Sequence, residues 1–200
     1  MNNELIDKMP KNSLRKNIAE FIGKHYDECI KDKTVLEIGA AIPNKKCWWA
    51  DNKVLFGTEA KEWLATDMQV APNIDLVLDM EFVGEVKTRK LNNKFDTIVA
   101  IETFEHVFHY NSVALNCFAA LKKGGTLLVT LPFGHPVHNF PYDYFRYTPE
   151  ALLRIFSDAG FKDIEVTETN FKSFTVQQYS DEFELMSFPV QVMLKAVKRG

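Results

Sequence analysis

Cysteine is scarce in this 200-residue chain: Cys29, Cys47 and Cys117 stand alone and at no metal-ligating spacing. An odd number of scattered thiols excludes a disulfide scaffold and a zinc finger, and fits a reduced, cytoplasmic setting. No apolar run approaches the roughly 18 residues that a membrane span needs. The polar amino terminus has no apolar signal core, so export is not expected. Neither sign of charge dominates, since 24 basic and 27 acidic residues leave −3, and no broad basic surface for nucleic acid follows. Phosphate-binding motifs are missing too. Neither G-x-G-x-x-G nor G-x-x-x-x-G-K-[ST] occurs, so a dinucleotide or nucleoside triphosphate is poorly supported. What is left, 46% hydrophobic and 26% charged residues without an internal repeat, is an ordinary globular composition of one-domain length.

The chain is organised around Lys33–Gly39, KTVLEIG, an apolar run that stops at a glycine. That is the pattern of a buried parallel strand feeding a tight turn. Residues 1–10 are polar and expected to fray. A helix is predicted from Ser13, capped by Asn12 or Ser13, with Leu14, Ile18, Phe21, Ile22, Tyr26 and Ile30 on one stripe. After the first strand, residues 40–58 form a long irregular insert with Pro43, Asn44 and the pair Trp48–Trp49. Those tryptophans and Phe56 are candidates for a lid or for core packing. A helical turn near Thr58–Glu62 leads to a strand ending at Asp67, and IDLVLD makes another ending at Asp79.

Residues 81–94 carry a charge run, expected to be an exposed helix or loop. FDTIVAI, 95–101, is apolar enough to be a central strand, and TLLVTL, 126–131, follows a helix in two pieces, Thr103–His109 and Ser112–Lys122. A loop rich in histidine, proline and aromatics, 132–147, precedes Thr148–Pro149–Glu150, a helix start with cap, proline and acid in order. Phe161–Thr169 and Pro189–Val197 read as strands, and the segment between, with Asp181, Glu182 and Glu184, as a loop or short helix. Strands alternating with helices predict an α/β fold with a doubly wound, mostly parallel sheet.

In such a sheet ligands sit beyond the carboxyl ends of the strands, where strand order reverses. Three neighbouring strands end on or near an acid: Glu37, Asp67 and Asp79. Carboxylates there can accept ribose hydroxyls or an adenine amine. That suits a cofactor with ribose, adenine and a cationic centre but no phosphate. VLEIGA, ATDM, LVLDM, FDTIVAIETFEHV and LKKGGTLLVTLPF, in this order, resemble the motifs of class I S-adenosylmethionine-dependent methyltransferases. HNFPYDYFRYTPEALLRIFSDAGF is similar to a branch of the type-11 group, and the resemblance spans about residues 33–170. It implies a Rossmann-like seven-stranded sheet with an antiparallel last strand. The whole chain, 1–200, would then be one domain, with an N-terminal helix at about 13–31 and a sheet core at about 33–200.

By that resemblance Glu37 and Gly39 flank the methionine tail, Asp67 takes the ribose hydroxyls and Met68 packs on adenine. Asp79 accepts from the adenine amine, the Met80 amide faces the ring, and the backbone around Ile101 and Glu102 lines the methionine end. Ala41 stands where the family usually has a second glycine.

Methyl transfer from a sulfonium needs alignment and, for a hydroxyl acceptor, a base. His106, His135 and His138 fall after the fourth and fifth strands and are the candidates for base or acceptor-orienting group, His106 first. Tyr142, Asp143, Arg146 and Tyr147 are candidate substrate residues. Arg146 either reaches an anionic or sugar-like acceptor or pairs with Asp143 to brace the loop. Glu102, Glu105 and His106 form E-x-x-E-H, whose i, i+3, i+4 spacing shares a helical face. The pattern resembles the magnesium motif of some ubiquinone-pathway and small-RNA O-methyltransferases, although E-H after this strand is common without metal. The leading expectation is methyl transfer to a small-molecule or sugar/glycan acceptor, on oxygen. The alternatives are an inactive methyltransferase-like partner subunit and, third, a nucleic-acid methyltransferase.

Overall fold

The protein is described here by a computed structural model covering residues 1–8, 14–42, 51–138, 142–169, 172–177 and 183–199. Helices α1 (Asn3–Asp7), α2 (Leu14–Lys24) and α3 (Tyr26–Cys29) precede strand β1 (Thr34–Ile38). Then come α4 (Asn52–Phe56), β2 (Glu62–Asp67), the two-residue β3 (Leu76–Val77), α5 (Glu85–Thr88) and β4 (Phe95–Ile101). Helix α6 (Tyr110–Ala120), β5 (Leu121–Pro132), α7 (Pro149–Asp158), β6 (Lys162–Thr169), β7 (Lys172–Gln177), β8 (Phe183–Phe188) and β9 (Gln191–Val197) complete the order.

Seven strands form one sheet in the order β3-β2-β1-β4-β5-β9-β6. β1 pairs in parallel with β2 and β4, and β4 in parallel with β5. β9 runs antiparallel between β5 and β6, as the resemblance implies for the last strand. Chain direction changes sides between β1 and β4, so the switch point lies at Ile38 and Ile101, the ends of those two strands.

The period-two alternation of the strands splits the apolar residues between two faces. Leu36, Ile38, Ile98, Ala100, Leu127 and Val129 pack with Val113 and Cys117 of α6 and Leu152 and Phe156 of α7. Val35, Val99, Ile101 and Leu128 pack on the other face with Ile18 and Ile22 of α2 and Leu55 and Phe56 of α4. The cap at Thr148 is as predicted, its side chain accepting from the Ala151 amide. Cys29 and Cys117 are buried free thiols; Cys47 lies outside the described residues. Among the described residues no helix is long and apolar enough to cross a membrane.

Several local expectations are corrected. The first residues hold a helix, because Asn2 caps it by accepting from the Leu5 amide, its own amide donates to Leu55 O at 2.8 Å, and Ile6 is buried. The single long helix is interrupted at His25, whose amide makes an i−3 bond to Ile22 O, yet Ile18, Ile22, Tyr26 and Ile30 stay buried through the break. In the insert, Asp51 caps α4 by accepting from the Val54 amide, and only a 3-10 turn, Gly57–Glu59, sits near the helical turn expected at 58–62. Phe56 is in the core and is no lid; Pro43, Asn44 and Trp48–Trp49 lie outside the described residues. The second helical piece ends at Ala120, so Lys122 lies in β5. The third strand is cut to two residues at the sheet edge. The 81–94 charge run is largely exposed, as expected, around the short α5, and is anchored by Val86 and Leu91, both buried. Finally, β7 and β8 make a separate antiparallel hairpin where a loop or short helix was expected; Asp181 and Glu182 lie outside the described residues.

Candidate active site

A cleft of about 810 Å³, part of it open to solvent, lies beyond the carboxyl ends of β1, β2 and β4. Its walls include Gly39, Ala41, Asp67, Met68, Asp79 and Met80 on one side and Glu102, Thr103, His106 and Val107 on the other. Asp67 and Asp79 therefore share one cavity.

The loop leaving β1 turns at Gly39, with φ of 71°. A Cβ there would collide with Thr103 Cγ2 and Oγ1, since the Thr103 hydroxyl donates across both strand ends, to Ile38 O and Ile101 O at 3.2 Å each. Only glycine meets both requirements. Asp67 then pins the loop, accepting from the Ala41 amide at 3.1 Å and from the Gln69 amide at 2.8 Å. Asn73 adds two bonds, donating to Ala40 O at 2.5 Å and accepting from the Ile42 amide at 3.2 Å. Asn73 follows Pro72 in the sequence, and nothing there marks it for this role. Its side chain does what shapes a loop that has Ala41 in place of a second glycine. Asp79 accepts from the Glu81 amide at 2.9 Å, and Asn116 of α6 holds the same segment by donating to Met80 O and Phe82 O.

Across the cleft, Glu102 sits at φ of 50°, a region that non-glycine residues adopt at a cost and that clusters at functional sites. Its Oε1 accepts from the Thr130 hydroxyl at 3.0 Å and from Gln191 Nε2 at 3.3 Å. Burial raises its pKa, opposed by Thr130 and by the nearby charge of Arg15 on α2. Arg15, a residue the sequence did not single out, is half-buried and feels the charges of both Glu102 and Glu37. Glu105 follows in a 3-10 turn, Phe104–His106, fully buried and with no hydrogen-bond partner for either carboxylate oxygen. Burial, then the Glu102 charge, pushes its pKa well up.

The histidines of the two loops do converge. The His106 and His138 ring centroids are 5.1 Å apart and those of His135 and His138 5.0 Å. Of the three, His106 lines the cleft. Its Nδ1 contacts the Tyr142 carbonyl, which can only accept, so the proton is on Nδ1 and Nε2 carries the lone pair. Burial lowers its pKa, which keeps the ring neutral.

The sequence profile of the family described as "Methyltransferase domain" matches residues 8–166. The chain belongs to that family. An S-adenosylmethionine-dependent methyltransferase from Archaeoglobus fulgidus superposes with a TM-score of 0.59 at 14% identity, over 99% of this chain and 100% of that one. The 1,6-didemethyltoxoflavin-N1-methyltransferase of Burkholderia thailandensis gives 0.57 at 13%, over 95% and 80%. Phosphoethanolamine N-methyltransferase 2 of Haemonchus contortus gives 0.52 at 15%, over 92% and 53%. No curated protein matches the chain in sequence. The methyltransferase is an enzyme with a Rossmann-like class I fold, and its cofactor is S-adenosylmethionine. The cleft fits that group: carboxylates without a phosphate cradle, and a glycine turn that leaves no room for a Cβ.

Three of the sequence-derived site residues of the methyltransferase, Glu37, Ile101 and Tyr147, have side chains that sit away from the cleft, while Asp143 and Arg146 take the bracing role, one of the two open to them. Glu37 is turned to the Val35 face of β1 and stays outside the cleft, its oxygens accepting from Asn52 Nδ2 and Trp63 Nε1 at 2.7 Å each. Ile101 likewise faces the second core. Tyr147 is a core residue, its hydroxyl donating to Phe104 O at 3.2 Å. Asp143 and Arg146 brace their own loop: two bonds at 2.5 and 2.7 Å join them, and Arg146 also donates to Phe145 O, His135 O and Pro136 O. That pairing holds the Asp143 carboxyl well below its usual range. Tyr142 is exposed beside Tyr144. Glu102 is engaged with Thr130 and Gln191, which leaves Glu105 and His106 of the E-x-x-E-H set facing one another at 3.7 Å.

Proposed function

We propose that this single-domain, cytoplasmic methyltransferase transfers a methyl group to a hydroxyl oxygen of a small-molecule or glycan acceptor. The observation that carries this reading is His106: a neutral imidazole on the cleft wall, its proton fixed on Nδ1 by a backbone carbonyl, and its Nε2 free to take a proton. A hydroxyl, unlike an amine, gains by such a base. S-adenosylmethionine supplies the electrophilic methyl. Asp67 accepts the ribose hydroxyls with the lone pairs its loop bonds leave open, Met68 covers the adenine, and Asp79 and the Met80 amide read its edge. Gly39 and Ala41 let the backbone approach, and Glu102 lies toward the methionine end. Exposed Tyr142, with Tyr144 and Phe108, offers flat apolar faces near the mouth, suited to a sugar ring or another planar acceptor. His135 and His138 orient the acceptor from the facing loop.

The test is methyl transfer from labelled cofactor to a panel of sugars, phenols, hydroxy acids and amines, with product mass and S-adenosylhomocysteine as readouts. Oxygen-methylated product is expected, and His106→Asn should lower kcat by about 10²–10³-fold while leaving S-adenosylhomocysteine affinity within about twofold. Methylation of amines alone, or full activity in His106→Asn, would refute the assignment.

A further inference from the structure

A buried carboxylate with no partner is the least expected feature of the molecule, because nearly all buried polar groups in folded proteins are bonded. Glu105 is such a group twice over, at Oε1 and Oε2. Its Oε1 is 3.7 Å from His106 Nε2, and one ligand atom from each of Glu105, His106 and His138 lies within 4.8 Å of the other two. The surroundings of the two imidazoles are equally specific. His106 has its Nδ1 on the Tyr142 carbonyl. His138 has its Nδ1 3.1 Å from Asp143 Oδ2, the same oxygen that accepts the His138 amide at 2.9 Å. Asp143 is in turn fixed by two bonds from Arg146. A ring nitrogen held by a carbonyl with the other turned to a neighbouring ligand atom, as His106 Nε2 is to Glu105, is how proteins orient histidines that ligate metals.

We infer that Glu105, His106 and His138 form a divalent-cation site at the acceptor end of the cleft. The set differs from the E-x-x-E-H triplet visible in the sequence: Glu102 is committed to Thr130 and Gln191, and His138 comes from the loop after β5. Two imidazoles and one carboxylate suit a first-row transition ion such as Mn²⁺, Fe²⁺, Co²⁺ or Zn²⁺, whereas Mg²⁺ and Ca²⁺ take oxygen-dominated shells. Donors around one such ion, each about 2.1 Å away, are roughly 3–3.5 Å apart, so the triad contracts slightly on binding. Three protein ligands leave positions open, and His106 puts them on the cleft. The role of the ion rests on the proposed oxygen acceptor but replaces the base proposed there: with Nε2 on the ion His106 takes no proton, the ion would lower the pKa of the bound acceptor hydroxyl, and that proton leaves to solvent. The Asp143–Arg146 pair then acts as the support that keeps His138 aimed.

The experiment uses tag-free full-length protein, stripped by chelator and titrated with Co²⁺ while visible absorption is followed. Expected are one equivalent of Co²⁺ with d–d bands, competition by Zn²⁺ and Mn²⁺ but not by Mg²⁺ at equal concentration, and at least a tenfold weaker Kd in both Glu105→Gln and His138→Asn. Asp143→Asn, which leaves all three ligands in place, should weaken binding about tenfold as well. No bands in the native protein, or bands that persist at unchanged Kd in Glu105→Gln and His138→Asn, would overturn the site. S-adenosylhomocysteine calorimetry on the same stripped protein separates the two readings: binding there with no Co²⁺ spectrum rejects the cation and leaves the methyltransferase assignment standing.

Discussion

Glu37 and Glu105 are both buried glutamates at the carboxyl edge of one sheet, and the structure treats them oppositely. Glu37, in the half built on β1 and β2, has each oxygen matched to a donor, Asn52 and Trp63. Glu105, in the half built on β4 and β5, has neither matched. Both have raised pKa values for the same first reason, burial. In Glu37 the desolvation is partly offset from within the chain, as befits a residue that holds two strands and a helix together. In Glu105 no donor from another residue offsets it, and the Arg146 charge opposes the shift less than burial and Glu102 drive it. The half proposed for the cofactor has its buried carboxylate satisfied as folded, and the half proposed for the acceptor does not. A residue's burial alone does not separate these cases, while its hydrogen-bond account does.

The contrast can be broken at three strengths. The largest effect is expected in the half proposed for the cofactor. Asp67→Ala removes a charged acceptor proposed for the ribose and frees the Ala41 and Gln69 amides it pins. S-adenosylhomocysteine affinity, read by calorimetry, should fall about 100-fold, the equivalent of one strong charge-assisted bond or two ordinary ones; an unchanged affinity would remove Asp67 from the site.

Next comes pH. Burial lifts Glu37 to about 7 from an ordinary 4.5. The fold prefers its protonated form, so its contribution to stability is full below 4.5 and is lost as pH rises through 7. Between pH 5 and 8 chemical denaturation should show a loss on the order of 2 kcal/mol that Glu37→Gln removes. An identical slope in the variant would show that Glu37 stays ionised throughout. The smallest effect compares the two glutamates directly in metal-free protein. Trp63→Phe deprives Glu37 of a donor and should cost about 1–2 kcal/mol, whereas Glu105→Gln, with no bond to lose, should stay within about 1 kcal/mol or stabilise. Equal losses would mean that Glu105 has a partner after all.

Much of the fold was legible because its signals are local. The apolar runs 34–38 and 95–101, the cap at Thr148 and the chain of motifs depend only on neighbouring residues, and the seven-stranded sheet with an antiparallel last strand followed from the resemblance they carry. Asp67, Asp79 and Gly39 were legible for a related reason: they end a strand or follow one within two residues, and strand ends in this architecture meet at one crevice. The failures share a cause as well. α1 and α4 each rest on one or two apolar side chains finding each other across the sequence, as Ile6 and Leu55 do in the second core. Tyr147 looked like a substrate residue by type, and only the path of its loop buries it, whereas the Asp143–Arg146 brace was one of two roles the spacing already offered.

By itself, then, the sequence determined the class of sheet, the strands that end in acids and the absence of any phosphate-binding loop, because periodicity, turn chemistry and motif order are properties of short stretches. Tertiary structure alone decided that Glu37 faces inward while its neighbour Ile38 reaches the cleft, and that His138 joins Glu105 and His106 across 32 residues of chain. Those outcomes depend on which sheet face a strand presents and on how one loop folds over another, and no local pattern encodes either.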